Sequence, residues 1–310
     1  MTLVWLPFDS IERARRELPG LSPELEIDLL DAGRLPETGY DRVEFLAFPN
    51  YRDLKICQEL AGRELPRLRW VQLASAGYEH ILDKAPAGTG ICNAPGVHDA
   101  GTAELAIGLA LRALRGFDDY VRDRQARRFA PVYGDTLADQ RVLIFGYGRI
   151  GQAVERRLAG FELASLTRVA RRARTDPEVH PSSELDRLLP GSDVVFITAP
   201  ATPDTIGLFD ADRLSLLPDQ AVLVNVGRGA IVDSEALVAQ ADRLRLALDV
   251  TDPEPLPKDH PLWSAPRLSW TPHIGGYTNS HWPRYLRLLS EQLDRLAQGQ
   301  PLAHQVRSPG

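Results

Sequence analysis

Arg228, Glu254 and His273 are residues whose types could together do acid–base chemistry on a small anion. They stand in Asn225-Val226-Gly227-Arg228-Gly229, in Asp249-Val250-Thr251-Asp252-Pro253-Glu254-Pro255-Leu256-Pro257 and in Thr271-Pro272-His273-Ile274-Gly275-Gly276. Each segment follows a predicted strand, and open α/β sheets bind ligands beyond the carboxyl ends of their strands. A guanidinium is a fixed, two-pronged cation for a carboxylate. An imidazole can give or take a proton near neutral pH. A carboxylate on its far nitrogen fixes the tautomer and favours the charged ring, so the pKa of His273 is expected to be raised. A 2-oxo acid asks for this set. Arg228 would hold the carboxylate and the carbonyl oxygen, and His273 would protonate that oxygen as a hydride reaches the carbon. Taken singly, Arg228 would more often be a helix-capping cation and His273 a loop histidine; their combination with Glu254 sets them apart.

A hydride needs a carrier, and Gly146-Tyr147-Gly148-Arg149-Ile150-Gly151 supplies the pattern for one. This GxGxxG follows the apolar run 141–145 and opens a helix whose inner face is Ile150, Val154 and Leu158. The first glycine permits a tight turn, the second lets backbone approach a pyrophosphate, and the third lets helix pack on strand. Arg149 and Ile150 complete the loop at the helix N-terminus, where phosphates are favoured. About 20 residues on, such units usually carry an acid for the ribose hydroxyls. Here the stretch offers Arg168, Arg171 and Arg172 instead, and guanidinium groups suit the additional phosphate of NADP. The expected cofactor is NADP in preference to NAD.

The elements that would position these residues follow two βαβ rhythms. Strands are predicted at 3–8, 25–30, 43–48, 68–73 and 90–93, and again at 141–145, 163–169, 193–198, 221–226 and 244–250. Several in the second set are continuous apolar runs, as parallel strands covered on both faces require. Between the sets, residues 103–114 are apolar on nearly every side and end at Gly116, which predicts a long helix buried between domains or subunits. Trp282, Tyr285, Leu286, Leu289, Leu293 and Leu296 recur at helical spacing, with Asn279 as N-cap and Gly299 beyond the end.

Composition narrows the alternatives. The 310 residues are 44% hydrophobic and 25% charged, enough for two cores, and the net charge of −6 provides no general attraction for nucleic acid or anionic lipid. No apolar run is long enough to cross a bilayer, and no leader is evident at the start, so a cytoplasmic protein is expected. Cys57 and Cys92 show neither a disulfide framework nor metal-ligand spacing and are expected to be small buried hydrophobes. No metal is expected. His98, His260 and His281 are given no chemistry.

With the glycine loop, the three segments of the opening paragraph resemble the signatures of the D-isomer-specific 2-hydroxyacid dehydrogenase family, in particular its glyoxylate/hydroxypyruvate reductases, and the resemblance covers nearly the whole chain. It implies two doubly wound parallel-sheet lobes: a Rossmann dinucleotide-binding domain, residues 101–275, inserted in a flavodoxin-like substrate domain, residues 1–100 and 276–310. The active cleft is expected between them. Ser75, Ala76 and Gly77 resemble the substrate-carboxylate loop, Asn93-Ala94-Pro95-Gly96 the approach to the linking helix, Thr198 and Pro200 a cofactor-lining loop, and Asp249 a contact to the nicotinamide amide. The implied reaction reduces a small 2-oxo acid, and the implied assembly is a homodimer through the 103–114 region. Phe129 stands where many relatives carry a tryptophan, which leaves the substrate open. Glu254 argues against formate dehydrogenases, which pair the histidine with glutamine. No appended regulatory domain is expected after the closing helix. The rival is a nucleotide-sensing corepressor of the C-terminal-binding-protein type on the same fold.

Overall fold

The computed structural model describes residues 1–30, 35–49, 53–60, 62–79 and 81–310. The chain divides into two compact units, Met1–His98 with Asn279–Gly310, and Asp99–Thr278. The first unit opens with β1 (Thr2–Leu6), α1 (Ile11–Glu17), β2 (Leu25–Leu29), β3 (Val43–Ala47), α2 (Asp53–Leu60), β4 (Trp70–Gln72) and β5 (Gly90–Cys92). The second unit follows with α3 (Asp99–Arg115), α4 (Phe117–Gln125), β6 (Arg141–Phe145), α5 (Arg149–Leu158), β7 (Ser165–Ala170), β8 (Arg174–Thr175) and β9 (Glu178–Pro181). It continues through α6 (Leu185–Leu188), β10 (Val194–Ile197), α7 (Ala211–Leu216), β11 (Val222–Asn225), α8 (Ser234–Gln240), β12 (Arg245–Leu248) and β13 (Leu268–Trp270). The chain then returns to the first unit as α9 (His281–Ala297) and β14 (Gln305–Arg307).

Strand order identifies both architectures. The first unit's sheet runs β14-β5-β4-β3-β1-β2, and β1 to β5 are parallel in the flavodoxin-like order, with β14 antiparallel at one edge. Alternate residues of each strand face opposite layers. Val4, Leu6 and Phe45 pack with Ala14 of α1 and with Tyr285, Leu289 and Leu293 of α9, whereas Leu3, Trp5 and Leu46 pack with Ile56 and Leu60 of α2. Cys57 and Cys92 are buried, and neither takes part in a disulfide.

The second sheet runs β13-β12-β11-β10-β6-β7-β9-β8, a Rossmann arrangement whose order reverses between β6 and β10. Its strands are apolar throughout because both faces are covered. Leu143, Phe145, Ile197 and Leu248 meet Leu214 of α7 and Leu237 of α8, while Val142, Ile144, Phe196 and Val224 meet Ala106 and Ala110 of α3 and Val154 of α5.

Helix α3 lies against α5 and the strands of its own unit, with Glu104 and Gly108 exposed. Two local features depart from the sequence expectation. The N-cap of α9 is Ser280 rather than Asn279, and no side-chain hydrogen bond caps it. Two short strands, β8 and β9, extend the sheet beyond β7, where residues 174–181 are too polar and too proline-interrupted to announce strands.

Each unit brings its own chain ends together. A Cβ added at Gly101, near the start of the second unit, would lie 2.6 Å from Cγ2 of Thr278, its last residue. In the first unit the rings of His98 and His281, from its two segments, stack with centroids 4.6 Å apart. Among the described residues no helix is long and apolar enough to cross a membrane.

Candidate active site

Because β6, β7, β10, β11, β12 and β13 are parallel, the loops leaving their carboxyl ends share one edge of the second sheet. Arg228 follows β11 and is half-buried. Glycines on either side press its backbone flat: a Cβ at Gly227 would lie 2.6 Å from the Ala199 carbonyl oxygen, and one at Gly229 would lie 2.0 Å from that of Thr251. Buried Asn225 adds two hydrogen bonds, its Nδ2 donating to the Arg228 carbonyl at 3.0 Å and its Oδ1 accepting from Gly227 N–H at 3.0 Å. The guanidinium is therefore carried on a braced turn, and its Nη1 donates to the Gly227 carbonyl at 2.9 Å.

His273 follows β13 with φ of +53°, a left-handed conformation rare outside glycine. What holds it there is Asp249, at the end of β12. The His273 N–H donates to the Asp249 carbonyl at 2.7 Å, and the buried Asp249 carboxylate accepts from the Thr271 hydroxyl at 2.7 Å, Ile274 N–H at 2.8 Å and Gly275 N–H at 2.9 Å. Asp249 thus anchors the histidine turn, with two of these bonds on Oδ1 and one on Oδ2. His273 Nδ1 lies 2.6 Å from Glu254 Oε1, and both side chains are nearly half exposed. The Glu254 hydrogen bond holds the His273 pKa above its ordinary value. Burial and the nearby Arg228 charge oppose that rise, and Asp249 supports it. With Nδ1 engaged by Glu254, Nε2 is the nitrogen left to exchange a proton with a substrate.

The glycine loop has the dimensions of a phosphate cradle. Gly146 has φ of +101°, and a Cβ there would meet the Ala199 nitrogen at 2.4 Å; at Gly151 it would meet the Gly146 carbonyl oxygen at 2.5 Å. At Gly148, the residue before α5, the same atom would meet nothing within 4 Å, so the loop is packed behind and open in front. Thr198 closes the back, its hydroxyl donating to the Gly146 carbonyl at 2.7 Å. Pro200 is exposed. The first amides of α5 have no partner within the helix, and Arg149 there is exposed and bonded to Asp99 at 2.9 Å. A dinucleotide pyrophosphate fits this opening.

The three arginines separate. Arg171 and Arg172 lie exposed just beyond β7, with no ion-pair partner among the described residues. Arg168 departs from the expectation, because it lies inside β7 and gives its guanidinium to Glu155 of α5, Nε donating to Oε1 at 3.1 Å and to Oε2 at 3.0 Å. Tyr147 also hydrogen-bonds Glu155, and its ring has Arg168 5.7 Å and Arg174 5.2 Å from its centroid. Sequence reading missed this group because Glu155 is an ordinary helix-surface residue until β7 is placed beside α5.

In the first unit, Ser75, Ala76 and Gly77 form a half-buried loop after β4, and the Ser75 hydroxyl is turned back onto the Gly77 carbonyl at 2.7 Å. That leaves the loop's backbone N–H groups, rather than the hydroxyl, as its binding equipment.

Comparison with known proteins agrees with this arrangement. A sequence model described as the NAD binding domain of D-isomer specific 2-hydroxyacid dehydrogenases matches residues 107–275. Among curated relatives, a glyoxylate reductase of Thermofilum pendens is 32% identical over 76% of this chain and 74% of its own length. A glyoxylate reductase/hydroxypyruvate reductase of Mus musculus is 33% identical over 68% of each chain. Among solved structures, a D-isomer specific 2-hydroxyacid dehydrogenase from Xanthobacter autotrophicus, in complex with NADPH and MES, superposes with a TM-score of 0.76 at 26% identity, over 98% of this chain and 97% of that one.

Proposed function

The chain belongs to the D-isomer-specific 2-hydroxyacid dehydrogenase family, and from that premise we propose that it reduces a small 2-oxo acid to the D-2-hydroxy acid, with NADPH as the preferred cofactor. It is an NAD(P)-dependent dehydrogenase. Glyoxylate and hydroxypyruvate, which name its relatives, are the proposed substrates.

The observation that carries the reading is the 2.6 Å contact between His273 Nδ1 and Glu254, with Nε2 left for a substrate. The bound reduced nicotinamide supplies the hydride to the carbonyl carbon. Arg228 receives the carboxylate and the carbonyl oxygen on its two prongs, fixing which face of the carbonyl is attacked. Ser75, Ala76 and Gly77 offer backbone N–H groups to the other carboxylate oxygen. His273, charged because Glu254 favours imidazolium, delivers its Nε2 proton to the oxygen as negative charge develops there. In the oxidation direction the neutral ring takes that proton back. Preference for NADPH rests on Arg171 and Arg172, which have no ion-pair partner among the described residues, whereas Arg168 is spoken for by Glu155.

Steady-state assays of a panel of 2-oxo acids with NADPH and with NADH test the proposal. Turnover of a small 2-oxo acid with higher kcat/KM for NADPH is expected; no turnover of any member overturns the reaction, and equal or better use of NADH overturns the cofactor preference. We also propose a cytoplasmic homodimer whose contact face includes the neighbourhood of α3, where Phe117, Val121, Phe129 and Tyr133 are exposed. Sedimentation at equilibrium would show a single monomeric species if that is wrong.

A further inference from the structure

The loop after β4 is anchored by an unbroken row of carbonyls. Gln72 Nε2 donates to the Leu73 carbonyl at 2.8 Å, His281 Nε2 to that of Ala74 at 2.8 Å, and Ala94 N–H to that of Ser75 at 2.8 Å. Asn93 Nδ2 donates to the Ala76 carbonyl at 2.7 Å, and the Ser75 hydroxyl to that of Gly77 at 2.7 Å. Each peptide unit is rigid and planar, with its C=O and the following N–H pointing in opposite directions. Holding the carbonyls of Ala74, Ser75 and Ala76 therefore aims the N–H groups of Ser75, Ala76 and Gly77 away from the anchors. None of those three N–H groups has an acceptor among the described residues. Adjacent backbone donors without a protein acceptor are suited to an anion.

Of the side-chain anchors, His281 has no chemistry in the sequence reading, and Asn93 has only a place in the approach to the linking helix. His281 is 2% exposed at the start of α9, its ring stacked on His98 at 4.6 Å and within 14° of parallel to that of Tyr285. A carbonyl only accepts, so His281 Nε2 carries a proton, and burial holds the ring below its ordinary pKa. Asn93 follows β5 and reaches across to Ala76.

We propose that His281 and Asn93 are positioning residues for substrate carboxylate recognition, fixing the Ala74 and Ala76 carbonyls so that the N–H groups of Ser75 and Gly77 face the anion. A hydrogen bond accepted by a carbonyl also polarises its peptide and strengthens the N–H on the other side. The inference rests on the proposed reaction for the identity of the anion, but the anchoring stands on the loop geometry alone.

The test combines calorimetric titration of oxalate into the NADPH-loaded enzyme, steady-state kinetics with glyoxylate and amide NMR of the unliganded protein. His281→Phe keeps the stacking and removes the donor. It is expected to weaken oxalate binding and raise KM by about tenfold, with kcat at saturation within about twofold and NADPH affinity unchanged. The Ser75 amide resonance should move. His281→Gln, which restores a donor, is expected to recover most of the oxalate affinity, a recovery that a purely structural role for the ring would not produce. Should His281→Phe not fold, Asn93→Ala gives the same readings at Gly77. A folded His281→Phe or Asn93→Ala protein that binds oxalate as wild type does overturns the proposal, as does a His281→Gln protein no better than His281→Phe. If the wild type turns over no 2-oxo acid, the proposed reaction fails, while movement of the Ser75 and Gly77 resonances still reports the anchoring.

Discussion

The two units present ligand-binding groups of opposite kinds. The second unit offers charged side chains, Arg228, Glu254 and His273, on turns braced by Asn225, Asp249 and close-packed glycines. The first offers neutral backbone N–H groups on a loop braced by Gln72, Asn93 and His281. Charged groups that exchange a proton or meet developing charge act on the transition state, whereas aimed neutral donors bind ground and transition states alike. Damage to the second unit's set should therefore appear in kcat, and damage to the first unit's set in KM.

The sharpest way to break this contrast is His273→Ala, which is expected to lower kcat for reduction by a factor on the order of 10² or more while NADPH affinity, read by fluorescence titration, survives. Near wild-type turnover under conditions where chemistry limits the rate would mean that another group donates the proton. Arg228→Gln removes the cationic fork, and kcat/KM is expected to fall by about 10², with a smaller loss in Arg228→Lys, which keeps the charge but not the two prongs. If both variants changed only KM, Arg228 would belong with the neutral donors and the contrast would collapse.

Glu254→Gln sharpens the comparison through pH. Glu254 is the main cause of the raised His273 pKa, so reduction, which uses the charged ring, should decline as pH rises through that pKa, and oxidation, which uses the neutral ring, should improve. Removing the carboxylate's charge lowers the pKa and should move the declining limb of reduction to lower pH, with a loss of about tenfold at neutral pH. A pH–rate profile with an unmoved limb would assign the titration to another group. The smallest effect is expected at the loop beyond β7: replacing Arg171 and Arg172 together with alanine should cut the ratio of kcat/KM for NADPH over NADH by about tenfold or less, because exposed charges are screened. An unchanged ratio would remove these arginines from cofactor choice.

Much of the second unit was legible because its signals are local. A buried parallel strand declares itself as a continuous apolar run, as in β6 and β11, and the glycine spacing from Gly146 to Gly151 meets a steric demand that the tight Cβ distances make explicit. Arg228, Glu254 and His273 could be picked out because each type has a chemistry and each follows a strand. What stayed hidden depends on contacts between distant positions. The pairing of Arg168 with Glu155 requires α5 to lie beside β7, so the arginine read as a free cation. Asn93 and His281 reach Ala76 and Ala74 across 17 and 207 positions, and nothing in an asparagine or a histidine taken singly reports such a partner. The start of α9 at Ser280 rather than Asn279 was not legible because no side-chain hydrogen bond caps this helix, so residue type carries no signal for the boundary.

The meeting of chain ends within each unit makes the inserted unit a detachable cassette. With Gly101 packed against Thr278, residues 99–278 excised from the gene would leave two termini that already lie side by side and demand no stretching. With His98 stacked on His281, the outer segments would need only a short splice to become one continuous chain, at a small loop-closure cost. Each half could then be produced and titrated by itself, the cassette with NADPH and the spliced remainder with oxalate.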